Sequence, residues 1–247
     1  MKIRVFTDAA ELARATATLL TMRAARAIVE HNQANLALAG GPLVESVLAA
    51  LAADPLKDVT PWRSCQFFWA EETCPAPGED AGHFARAKDL LFDHVPVGTN
   101  QLHPAPVDLY EPEEAAARYM AELRTFFWGG KPEFDLTLLG LDQQGGVAGL
   151  LPGSPAVAER RDWVTWTEPR DEKAGPPRVS FTLPTLNRTS TMVVLASGAE
   201  MAETVAQVIA QARRGGDALP ASALRPWGEM FWFLDADAAA GLESLAA

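Results

Sequence analysis

A chain of 247 residues, 48% hydrophobic and 21% charged, is long enough to bury a full core and has the makeup of an ordinary globular protein, read here as one domain over 1–247. Its net charge of −11 at pH 7 argues against nucleic acid as a general partner, although a local cluster of donors is enough to hold a small anion. No run of about 18 apolar residues occurs, so no membrane span is expected.

Lys2 to Phe6 alternates charge with Ile3 and Val5, a first strand. Asp8, with Glu11 three residues on, opens a long helix to about Asn32 in the manner of a capping box. The early charge of MKIRVFTDAAEL argues against a secretory signal. Asn35 to Ala39 is a short apolar strand ending in Gly40-Gly41-Pro42, and a second helix follows to about Ala53. Strand, glycines and helix in succession place backbone N–H groups at a helix start, where the dipole favours an anion. The competing reading is a tight turn with Pro42 at the first helical position.

Cys65 to Ala70 reads as a third strand, with Glu71-Glu72 just past its end. Cys65 and Cys74 fit neither a metal-ligand spacing nor a disulfide framework, which suggests free thiols in a reducing cytoplasm. Helical spacing resumes from Glu79 to Leu91, and the prolines from Leu102 to Val107 allow only a short edge strand. Pro112 starts a helix to about Phe127, stopped by Gly129-Gly130. Leu136 to Leu141 is a continuous apolar run, the kind found in a strand buried on both faces. Asp162 to Pro177 is polar and proline-rich, a surface excursion. Arg178–Thr182, Thr191–Ala196 and Glu229–Leu234 read as strands, with a helix from Gly198 through Arg213 and another at the C-terminus. The alternation implies an α/β protein with a doubly wound, mostly parallel sheet and helices on both faces.

The stretch Phe134–Ser154, FDLTLLGLDQQGGVAGLLPGS, resembles the signature of the 6-phosphogluconolactonases and their glucosamine-6-phosphate isomerase relatives, F-D-L-x-L-L-G-M-G-x-D-G-H-T-A-S-L-F-P-G. Pro177-Arg178-Val179-Ser180-Phe181-Thr182 is similar to the family's P-x-R-I-T-L-T, and Ala39-Gly40-Gly41-Pro42-Leu43 to its S-G-G-S-T-P phosphate loop. The resemblance runs from the first strand to WFLDADAAAGL. It implies the family's Rossmann-like fold and a small sugar phosphate as ligand at Gly40, Gly41, Gly145, Gly146 and Arg178. No cofactor or metal is expected, since the sequence has neither a metal cluster nor a dinucleotide fingerprint followed by a suitable acidic residue. A monomer or weak homo-oligomer in the cytoplasm is expected.

The departures from the pattern fall on polar positions. Gly146 stands for a histidine, Asp142 for a glycine, Gln144 for an aspartate and Gly149 for a serine. Ala39 and Pro42 replace two serines, Leu43 a threonine, Thr73 an arginine, and Met201 a lysine; Ala81-Gly82-His83 occupies the family's S-N-Y. A base for water must then come from elsewhere. Glu71 and Glu72 are candidates because paired carboxylates at a strand end can carry a raised pKa, the plain alternative being solvated acids. His83 is the one of the four histidines at a position matching the family's cleft; His31 reads as a helix-end residue, and His94 and His103 as loop or edge residues. Arg188 and Lys173 are further sources of positive charge. The function implied is hydrolysis of a sugar-phosphate lactone in the pentose phosphate pathway, with glycine-turn N–H groups polarising the carbonyl. The second reading is a catalytically degenerate paralogue that binds sugar phosphates or regulates. An aldose–ketose isomerase or deaminase has less support, because Gly146 also replaces that branch's histidine.

Overall fold

Runs such as Leu136–Leu139 and Met192–Ala196 offer almost no polar side chain to water, so both faces of any sheet they join must be covered. The computed structural model describes residues 1–74, 82–168 and 175–245, and these two runs lie side by side at the centre of a parallel sheet. In chain order the elements are β1 (Lys2–Phe6), α1 (Ala9–His31), β2 (Ala34–Leu38), α2 (Pro42–Leu51), α3 (Leu56–Val59), β3 (Cys65–Trp69), β4 (Glu71–Thr73), α4 (His83–Ala87) and β5 (Leu102–His103). Then come α5 (Pro112–Phe126), β6 (Leu136–Gly140), β7 (Val164–Thr167), β8 (Arg178–Phe181), α6 (Leu183–Leu186), β9 (Thr191–Ala196), α7 (Ala202–Arg213), β10 (Glu229–Asp235) and α8 (Ala236–Ala239). Seven strands pair in the order β1-β10-β9-β6-β2-β3-β5, every pair parallel.

Alternate strand residues point to opposite faces, and β9 shows how both are filled. Met192, Val194 and Ala196 meet a core that includes Tyr119 and Leu123 of α5 and Val205 and Ile209 of α7. Val193 and Leu195 meet the opposite core, with Leu12 and Leu20 of α1 and Val44 and Leu48 of α2. The sheet is thus wound on both sides, as the alternation of strand and helix implies. At its middle, β2 and β6 are neighbours whose chains leave in opposite directions. The chain after β2 enters α2 on one face, whereas that after β6 runs through Val147, Ala148 and Leu150 into the core on the other. Such a divergence opens a crevice at the carboxyl ends of the strands.

Several elements differ from the sequence reading. Glu71 and Glu72 are not solvated acids at a strand end: they form β4, which leaves the main sheet and pairs antiparallel with β8. The stretch read as a surface excursion contains β7, which closes this second sheet in the order β4-β8-β7. Val164 and Trp166 turn inward against α5, and the short four-residue run carries too little pattern to stand out. The strand at Arg178 therefore belongs to the small sheet and not the parallel one. The edge strand β5 is confined to Leu102–His103, and α4 begins at His83 and passes into a π-type turn over Lys88–Phe92. Glu79 to Ala81, read as the start of that helix, lie outside the described residues. The C-terminal helix is one short turn, α8, continued as 3₁₀ over Ala240–Leu245.

The switch of the chain from one sheet to the other is held by Tyr119. β5 is too short to reach Trp69, the last residue of β3. The Tyr119 hydroxyl accepts from the Trp69 N–H at 2.8 Å and donates to its carbonyl at 3.2 Å, in a fully buried setting. Among the described residues, no helix is long and apolar enough to cross a membrane. Tyr119→Phe should leave both backbone groups of Trp69 unpaired and cost ~1–3 kcal/mol. A urea titration should show the midpoint falling with an unchanged slope.

Candidate functional site

Where the small sheet meets the carboxyl end of β6, the surface opens into a cavity of about 610 Å³. Its wall includes Asp142, Gly149, Leu151, Trp166, Glu168 and Arg178. Apolar surface with a few polar groups at a sheet's carboxyl end is the usual makeup of a small-molecule site.

Arg178 owes its place to register. On β8 it stands opposite Thr73 of β4, so its side chain reaches diagonally to Glu71 two residues earlier on the same face. Its Nη1 donates to Glu71 Oε1. Gly149 takes a left-handed conformation, φ +69°, and a Cβ there would come within 2.9 Å of Arg178 Cδ. The glycine thus gives the guanidinium's stem passage along the cavity wall. Among the described residues Arg178 donates to Glu71 alone.

Glu71 and Glu72 are both buried, at 5% and 1% exposure, and solve the burial problem differently. Burial pushes the Glu71 carboxyl up, but His83 and Arg178 beside it outweigh this and hold it below the usual carboxylate range. Among the described residues no cation is bonded to Glu72. It accepts N–H groups from Thr73 at 2.8 Å, His83 at 2.6 Å and Phe84 at 2.7 Å, which ties down the start of α4. Burial still leaves its carboxyl above the ordinary value, despite the charge of His83 and these N–H groups.

His83 lies with its imidazole directly over Gly40, where any Cβ would overlap the ring. Its Nε2 is 3.6 Å from Glu71 Oε1, a charge contact beyond hydrogen-bond distance, and bonds no other described atom. Burial works against the imidazolium, but the Glu71 charge wins and raises the pKa above the ordinary 6.5. The structure therefore brings Gly40, Glu71, Glu72, His83 and Arg178 together, with Arg178 as the one of these that lines the cavity. The other histidines are engaged elsewhere: His31 with Asp135 at 2.9 Å, His94 with the Asp89 carbonyl at 2.9 Å, and His103 with Glu122 and Gln66. Arg188 pairs with Glu133 away from the cavity, and Lys173 lies outside the described residues.

Gly41 turns the chain into α2 with φ +101°. Gly145 and Gly146 form the floor of the turn after β6, but their N–H groups are committed. Gly145 donates to the Asp142 carbonyl at 3.1 Å and Gly146 to Asp142 Oδ1 at 2.9 Å. Asp142 also accepts the Gln144 N–H at 2.7 Å. Burial lifts this carboxyl above its ordinary value, against the pull of the two N–H groups. The sequence reading passed over Asp142 except as a departure from the family pattern. Its signal was the spacing Asp142-Gln-Gln-Gly145-Gly146, an aspartate that can cap its own glycine turn. Among the described residues no group of three or more His, Cys, Asp or Glu side chains could hold a metal ion.

Residues 7–232 match the family model for glucosamine-6-phosphate isomerases/6-phosphogluconolactonase. The chain belongs to this family. Within it, the chain is 33% identical over 226 residues to 6-phosphogluconolactonase of Synechocystis sp., covering 90% of each chain. It is 31% identical over 256 residues to probable 6-phosphogluconolactonase 1 of Oryza sativa subsp. japonica, covering 98% of this chain and 85% of the other. The fold is shared with the devB protein at a TM-score of 0.84 and 26% identity, over 97% of this chain and 98% of that one. It is also shared with 6-phosphogluconolactonase from Trypanosoma brucei at 0.83 and 23% identity, over 99% and 98%.

The raised His83 pKa has a consequence for this family member's stability. The stabilisation from imidazolium facing Glu71 is complete below 6.5, the unfolded value, and is lost as pH rises through the higher folded value. In Glu71→Gln the His83 pKa should fall and this pH dependence should vanish. An NMR titration of the His83 ring, run beside urea melts at acidic and alkaline pH, checks both.

Proposed function

We propose that this protein hydrolyses the ring ester of a phosphorylated sugar lactone, the reaction its relatives are named for, as one domain in the cytoplasm. The observation that carries the reading is the placement of Arg178 in the wall of the cavity at the carboxyl end of β6. Arginine offers several donors in a planar fork suited to phosphate oxygens, and Glu71 holds that fork in place from behind. Leu151, Ala156 and Trp166 supply apolar surface for the faces of a sugar ring.

The lactone carbonyl needs a donor for the charge that develops on its oxygen. Gly145 and Gly146 spend their N–H groups on Asp142, while the N–H groups of Gly149 and Leu151 in the cavity wall meet no described acceptor and remain as backbone donors. Gly40 lies against His83, whose imidazole favours an anion near that turn when it is protonated. Glu72 is occupied with the start of α4 and Glu71 with Arg178, so both serve to position neighbours.

A second reading, a sugar-phosphate-binding or regulatory protein without turnover, draws on the fact that Glu71 already neutralises part of the Arg178 charge. Two measurements separate them. Fresh 6-phosphogluconolactone should be hydrolysed well above its uncatalysed rate, and hydrolysis at the uncatalysed rate with 6-phosphogluconate still bound would favour the second reading. Arg178→Lys should weaken 6-phosphogluconate binding in calorimetry by roughly 10- to 100-fold, corresponding to ~1.5–3 kcal/mol for a charge-assisted contact.

A further inference from the structure

We infer that Asp142 is the general base of this site: its carboxylate, planted in the space that a side chain at position 146 would fill, takes the proton of the attacking water. The inference rests on the lactone-hydrolysis reading above.

Four ionisable groups among the described residues line the cavity: Asp142, Glu159, Glu168 and Arg178. A base must accept a proton, which excludes Arg178. Glu168 is exposed, and one oxygen of Glu159 accepts the N–H groups of Arg160, Arg161 and Asp162. Those bonds hold its carboxyl below the usual range and make it a poor proton acceptor. Asp142, half-buried like Glu159, is the acid set at the carboxyl end of the central strand.

Its two oxygens are unequal. Oδ1 takes both turn N–H groups, from Gln144 and Gly146, and fixes the carboxylate's orientation. Oδ2 bonds no described donor, and it occupies the position where a Cβ on Gly146 would begin; the same Cβ would come within 2.6 Å of the Leu150 carbonyl oxygen. Glycine at 146 is thus the condition for this carboxylate to stand there. The charged groups that face it are Glu71 of β4, which favours its protonated form, and Arg178 of β8, which favours the ionised one. A base held by one oxygen with the other left for the proton is the arrangement that proton transfer requires.

The step balances as follows. The water oxygen bonds to the lactone carbonyl carbon as Oδ2 takes one water proton, and the carbonyl π electrons move onto its oxygen. As the tetrahedral intermediate collapses, the bond from that carbon to the ring oxygen breaks, and the ring oxygen takes the proton back from Asp142. The new carboxylic acid then ionises to solvent.

Asp142→Asn keeps an oxygen for the turn N–H groups and removes the base. Asp142→Ser, whose hydroxyl can also accept from the turn, repeats the test if the amide disturbs the loop. The expected result is a fall in kcat of about 10²–10⁴-fold with KM nearly unchanged. The acidic limb of the pH–rate profile should disappear, and 6-phosphogluconate should bind at least as tightly as to the wild type. Wild-type kcat and acidic limb in both variants would overturn the inference, as would loss of product binding together with activity, which would mark a turn-holding role. Wild-type protein that binds 6-phosphogluconate yet leaves the lactone at its uncatalysed rate would remove the hydrolysis reading itself, and the base with it.

Discussion

A carboxylate buried to 5% exposure must have its charge met, and for Glu71 the answer is Arg178. The pair joins β4 to β8 by side chains as well as by the strand ladder, at the point where the chain has just left the parallel sheet. A buried ion pair is a weak source of net stability, because desolvation offsets the attraction, but removing one partner leaves a costly lone charge. The pair therefore acts mainly as a constraint. It fixes the register of the small sheet and the line that the guanidinium takes along the cavity, and through the Arg178 stem it restricts residue 149 to glycine.

Glu72, Asp142 and Glu159 are instead held by backbone N–H groups. Glu72 is bound by backbone N–H groups and serves the start of α4. That same N-terminus brings His83 over Gly40, where its protonated form answers Glu71 a second time. Asp142 is held by the N–H groups of its own turn and keeps one oxygen unbonded among the described residues. Glu159, half-buried in the cavity wall, takes three N–H groups on one oxygen. Burial with cations lowers a carboxyl's pKa, whereas burial with a few neutral N–H groups leaves it raised. One small region thus contains carboxyls of opposite tendency, the condition under which acid and base roles divide.

The parallel sheet was legible in the sequence because its strands are buried on both faces and so carry almost wholly apolar runs, as at Leu136–Leu139, broken only by Thr137, and Met192–Ala196. The second sheet was not. β7 has four residues between polar flanks, and β4 is a pair of acids and a threonine, a composition that local pattern assigns to solvent. Their burial depends on Arg178, more than a hundred residues after Glu71, and on the N–H groups that begin α4. Arg178 itself was found by resemblance. That it would be tied to Glu71 needed the antiparallel register of β4 and β8, which only tertiary structure supplies.

Asp142 was hidden for another reason. Read against the family pattern, glycines at 146 and 149 suggest that polar groups have been lost from the site. Packing gives those glycines a different meaning. The space beside Gly146 is taken by the Asp142 carboxylate, that beside Gly149 by the Arg178 stem, that beside Gly40 by the His83 ring, and that beside Gly82 by Glu72 Oε1 at 2.5 Å. In each case the absence of a Cβ lets a charged or titratable side chain from elsewhere in the chain come against the backbone. At 82, 146 and 149, where the family pattern has larger residues, a neighbouring side chain stands in the space the glycine leaves. Polar groups from other positions thus stand over these glycines, and the chemistry open to the cavity depends on them.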